Sequence, residues 1–117
     1  MTVQEESILD SIKKLLGIDH DFTDFDPDII IYINSALMIL SQIGIGNNNY
    51  NISGYEESWS DFLESKTYLS AAKSYVYLKC RLIFDPPANS FVTESINKQL
   101  SELEFRLNVR SENKDGE

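Results

Sequence analysis

Histidine occurs once, at His20, and cysteine once, at Cys80, so a thiolate activated by a histidine base requires those two side chains to meet. Their settings keep them apart. His20 lies in a short acidic segment, whereas Cys80 lies inside an apolar helical run, where it reads as a small buried hydrophobe. Five aspartates, Asp19, Asp21, Asp24, Asp26 and Asp28, suggest the loop that wraps a calcium ion with carboxylates at alternate positions. Such a loop also needs a turn glycine and a distal glutamate, and this segment has neither. Helix capping and favourable first-turn charge explain Asp26 and Asp28 better. Phosphate-cradling glycine loops, paired-histidine motifs and the G-x-S-x-G elbow are also missing from the sequence. Carboxylates alone can do acid-base work when two of them are juxtaposed, but no such pair stands out. The expectation is a protein with no catalytic residues, no metal and no cofactor.

The elements that would position these residues are helical. Ile8, Leu9, Ile12, Leu15 and Leu16 fall on one arc of a helix running from Glu5 to Leu16, with Lys13 and Lys14 pointing elsewhere and Gly17 closing it. A second helix starts at Asp26-Pro27, with Asp26 as cap, and ends near Ile43 before Gly44 and Gly46. One face carries Ile29, Ile33, Ala36, Leu40 and Ile43, while Ile31, Met38 and Ile39 lie on other sides. Residues 44–60, with three glycines and Asn47-Asn48-Asn49, fit neither helical nor strand period and predict an ordered loop that makes contacts of its own, with room for a short hairpin.

A third helix begins between Lys66 and Leu69 and stops at Phe84, because Asp85-Pro86-Pro87 removes donors and restricts the preceding backbone. It carries two apolar stripes: Leu69, Ala72, Val76, Cys80 and Ile83, and then Tyr68, Ala71, Tyr75, Leu78 and Leu82. A fourth helix, capped by Asn89 or Ser90, places Val92, Ile96, Leu100, Leu103 and Leu107 on one stripe, with Phe91, Phe105 and Val109 nearly opposite. Past Arg110, residues 111–117 lose periodicity and read as a flexible polar tail. The predicted fold is all-α: an antiparallel bundle of about four helices, one domain over residues 1–110, with a long loop between the second and third helices.

Composition narrows the function. Apolar residues make up 42% and charged residues 25% of the 117 positions, which suits a folded core. Ten Lys and Arg against nineteen Asp and Glu give a net charge of −9, a field that repels phosphate backbones. Sequence-specific nucleic-acid binding is not expected. A bilayer-spanning helix needs about 18 or more apolar residues in a row, and no such run or secretory leader is present, so a cytosolic protein with no membrane partner is predicted. Lys79, Arg81, Arg106 and Arg110 concentrate scarce positive charge on the last two helices, where an aligned oligomer could offer it to passing DNA.

The second stripes matter most. A domain this small seldom buries apolar surface on both sides of several helices, so Ile31, Met38, Tyr75, Leu78, Leu82 and Phe105 are predicted to form a subunit interface. The competing expectation closes every stripe on one internal core. A monomeric adaptor that takes a partner helix in one groove is the main alternative function.

Several segments resemble the head-tail connector family of tailed bacteriophages, also described as head-completion or DNA-packaging proteins. They are Asp24-Phe25-Asp26-Pro27-Asp28-Ile29 with Tyr32 to Leu37 and Gln42-Ile43-Gly44, Trp59 to Leu63, Tyr77 through Phe84-Asp85-Pro86-Pro87, and Leu103 to Asn108. The likeness extends from about Ile8 to Asn108. It implies a small helical subunit of a virion or prophage that forms a homo-oligomeric ring below the portal and binds tail-side proteins. Such a ring surrounds the genome channel with at most passive DNA contact, and no catalytic residue comes with the family.

Overall fold

The computed structural model describes residues 6–63 and 65–115, with side chains through Val109. The helices run α1 (Ile8–Leu16), α2 (Asp26–Gln42), α3 (Trp59–Phe62), α4 (Leu69–Phe84) and α5 (Ser90–Asp115), with a 3-10 turn at Lys66–Tyr68 leading into α4. The fold is all-α, as the periodicities predict.

Local chemistry sets the helix ends. Ser7 caps α1 by accepting from the Asp10 amide, and Gly17 closes it at φ 80°, a left-handed conformation that costs glycine little. The second helix differs in detail from expectation. Phe25 is its N-cap, with no side-chain cap bond, and Asp26 is already helical, ahead of Pro27. The Asp26 carboxylate is thereby free to point into the protein. Asn89 caps α5 through its Oδ1, which accepts from the Phe91 amide at 2.7 Å. That helix continues to Asp115, past Arg110 where periodicity fades, so backbone helix outlasts the apolar stripe.

Helix α4 is the hub, packing against α1, α2 and α5. Its Ala72, Val76 and Cys80 are buried with Ile8, Leu9 and Ile12 of α1 and Ile29, Ile33, Ala36, Leu37 and Leu40 of α2. Desolvation pushes the Cys80 thiol up to about 12, so it is inert as a nucleophile near neutral pH. The opposite stripe of α4 meets α5, where the Tyr75 hydroxyl donates to Glu104 Oε2 at 2.6 Å. Burial, then that hydrogen bond, raises the phenol's pKa above its ordinary value.

The long connection after α2 holds no hairpin among the described residues; its one bridge pairs Ser7 with Ser58, laying the start of α1 beside the start of α3. The short helix α3 was not legible in advance. Ser58 and Asp61 form a reciprocal capping box around it, and the Trp59 indole donates to Ser11 Oγ at 2.8 Å. Asn34 ties the loop to α2 twice, donating to the Ile52 carbonyl at 3.0 Å and accepting the Ile52 amide at 2.7 Å. Ile45, Ile52 and Phe62 then join the core.

Candidate subunit interface

Two helices carry large apolar side chains on the side turned away from the core. On α2, Ile29, Ile33, Ala36, Leu37 and Leu40 take the buried face, which leaves Ile31 and Met38 outward at 61% and 55% exposure. Because Asn34 anchors the loop over this side of the helix, Ile31, Asn34, Ser35 and Met38 lie against Asn48, Tyr50 and Asn51 in an open groove of about 680 Å³. On α5, Ile96, Leu100 and Leu107 are buried, so Phe91 and Phe105 stand opposite them at 79% and 70% exposure. Val109 is a smaller member of the same outer stripe.

The six predicted interface residues therefore divide. Ile31, Met38 and Phe105 are exposed as the stripe argument requires. Tyr75 and Leu78 are not surface residues: they are buried within the chain, where α5 covers them. Periodicity marks two apolar faces on α4 without showing that α5 closes the second of them. Leu82 is half-buried against the same core.

A third apolar group was missed by sequence reasoning. Phe22 and Phe25, both well exposed, sit with ring centroids 5.4 Å apart, and Phe25 meets Phe84 edge-on at 5.1 Å. This cluster joins the α1–α2 connection to the end of α4. Aromatics interrupting an acidic run were its only signal.

One family's extent takes in nearly the whole helical array: the model of the phage connector protein family matches residues 8–114, from the first residue of α1 to the penultimate residue of α5. The chain belongs to the phage connector protein family. No curated protein and no solved structure matches it.

In this connector, the four cations considered for a channel are not equivalent. Lys79 is half-buried, with Nζ 5.8 Å from the Tyr75 ring centroid, and Arg81 is also half-buried. Arg106 is exposed on α5, and the Arg110 side chain lies outside the described residues. The aspartate run does not act as a unit either, since Asp26 turns inward to the Lys13 ammonium, 2.9 Å from its Oδ1.

That ion pair anchors a polar cluster beside the α1–α2 connection. Lys13, which the helical wheel turned outward, is fully buried and donates to the carbonyls of His20 and Phe22 and to the Tyr55 hydroxyl, at 3.1, 2.7 and 2.7 Å. Tyr55 in turn donates to Asp26 Oδ2 at 2.6 Å. Burial by itself would lower the Lys13 pKa, but hydrogen bonds to Tyr55 and Asp26 outweigh it and hold the ammonium above its ordinary 10.5. Burial and the bond to Asp26 likewise raise the Tyr55 phenol. Its hydroxyl is committed on both sides, so the cluster offers structure and no free nucleophile.

The His20 ring packs at a tilt against Tyr55, with centroids 4.7 Å apart, and its Nδ1 lies 2.8 Å from Asp10 Oδ1. The Asp10 hydrogen bond and charge raise the exposed imidazole's pKa above 6.5. A raised folded-state pKa means that this contact's stabilisation is full below the unfolded value and fades as pH rises through the folded one. Thermal melts should therefore show a small loss of stability on going from pH 6 to pH 8, and His20→Gln should remove that slope. An unchanged slope in the variant would assign it to other groups.

Proposed function

We propose that this chain is a structural subunit of the head-tail junction, assembling into a homo-oligomeric ring that joins the portal to tail-side proteins and surrounds the genome channel. Its place is then the host cytoplasm before assembly and the virion afterwards. Membership of the connector family supports the location, and one observation carries the self-association: exposed apolar residues on the outer faces of α2 and α5, which pack on different sides of α4. Two unlike patches on one chain favour head-to-tail contacts, which close into rings when the rotation between neighbours permits. With a net charge of −9, contact with passing DNA is passive and local to exposed cations such as Arg106. No enzymatic step belongs to this role.

The test is made on phage particles. Antibody-gold labelling against this chain should mark the head-tail junction, and particles assembled without the chain should separate into heads and unattached tails. Joined particles without it would remove the connector role and leave the monomeric adaptor as the better reading.

A further inference from the structure

The outer face of α2 is a socket as well as a patch. Ile31, Asn34, Ser35 and Met38 stand at positions i, i+3, i+4 and i+7, the arrangement of four residues that receives one side chain of a facing helix in knobs-into-holes packing. Its two polar corners are Asn34 and the exposed Ser35, its two apolar corners are more than half exposed, and Asn34 is held in place by its paired bonds to Ile52. A socket of this kind takes a large apolar knob projecting from a helix whose face is otherwise open.

The same chain carries such a knob. Phe105 projects from the side of α5 opposite its buried stripe, and α5 packs chiefly on α4. Charge fixes the direction in which the two helices run. Asp28 precedes Ser35 by two helical turns on the outer face of α2, and Lys98 precedes Phe105 by two turns on the outer face of α5. Each separation is about 10.5 Å along the axis. With Phe105 seated over Ser35 and the helices parallel, Lys98 comes level with Asp28. Both side chains are exposed, and neither has an ion-pair partner within the chain among the described residues. Reversing the helix would carry Lys98 past Met38 to Gln42 and the asparagine-rich loop, where the groove has no carboxylate.

We propose that the occupant of the α2 groove is α5 of a second copy, with Phe105 in the Ile31/Asn34/Ser35/Met38 socket and Lys98 paired to Asp28. This rests on the self-association in the proposed function and names its contact. Each copy then has one knob and one socket, so every contact leaves both ends able to continue, as a ring requires.

Zero-length carbodiimide coupling of a one-to-one mixture of unlabelled and 15N-labelled chain tests the pairing, because the reagent joins only carboxylate and amine groups already in contact. The expected product is a covalent multimer whose mixed-isotope peptides join Asp28 of one chain to Lys98 of another. Phe105→Asp and Ile31→Asp should each cut the yield of multimer by roughly thirtyfold, as loss of a central anchor does. An equimolar mixture of the two variants should restore a two-chain product and nothing longer, since only one intact knob meets one intact socket. Multimers joined through other residues, with no Asp28–Lys98 peptide, overturn this pairing and leave the ring standing. No covalent multimer at high protein concentration also overturns it, whereas the particle-labelling result decides the junction role separately.

Discussion

Replacing Lys13 with methionine is expected to destabilise the chain by about 3 kcal/mol, although methionine keeps most of the aliphatic stem and adds no bulk. The wild-type ammonium is fully buried and contacts Asp26, Tyr55 and two carbonyls at once. Without it, the His20 and Phe22 carbonyls lose their donor and the Asp26 carboxylate, 13% exposed, loses its counter-charge. Breaking one side of a buried pair costs about 3–5 kcal/mol, and the low end applies because Tyr55 still donates to Asp26. For a chain of this size that is a fall in Tm of about 10 °C or more. The double variant Lys13→Met/Asp26→Leu should recover much of the loss, because it removes the stranded charge as well. A loss below about 1 kcal/mol in the single variant would mean that water reaches the pair as it does an ordinary surface bridge.

This cluster also shows where sequence reasoning reached its limit. On the wheel of α1, Lys13 lies one turn from both Leu9 and Leu16, at the border of the apolar arc, and polarity assigns it to water. What decides otherwise is Tyr55, 42 residues away, together with an aspartate freed because Phe25 and not Asp26 caps α2. Local pattern carries no information about either partner. By contrast, the stop at Gly17, the end of α4 at Phe84 and a cap at Asn89 or Ser90 were legible, because each depends on a residue's own backbone preferences or a donor two or three positions away; the structure takes Asn89.

The interface residues follow the same division. Periodicity set Ile31, Met38 and Phe105 apart from the main apolar stripes of α2 and α5, and those side chains are exposed. It failed at Tyr75 and Leu78 because a stripe shows that a face must be covered without showing which element covers it. The groove beside Ile31 was equally hidden. It exists because Asn34 binds the loop backbone at Ile52, a partner 18 residues away that helical period does not show.

Gly46→Ala is expected to cost about 3 kcal/mol, from two sources that a second substitution separates. Gly46 adopts φ 84°, where a Cβ is strained by roughly 1–2 kcal/mol. A methyl group there would also overlap the Phe62 ring, which is fully buried, packs on Tyr50 at 5.6 Å and cannot swing into solvent. Overpacking of this kind costs about 1–3 kcal/mol. Phe62→Leu removes the ring, so in the double variant the overlap is relieved while the backbone strain remains. Chemical denaturation of the four proteins should give a double variant about 1–2 kcal/mol more stable than the sum of the single losses predicts. Additive losses would place the whole cost in the backbone, and a Gly46→Ala variant within about 0.5 kcal/mol of wild type would show that the loop does not hold glycine against the ring. Since this loop also walls the groove on α2, weakening it should loosen the socket proposed for Phe105 without touching either helix face.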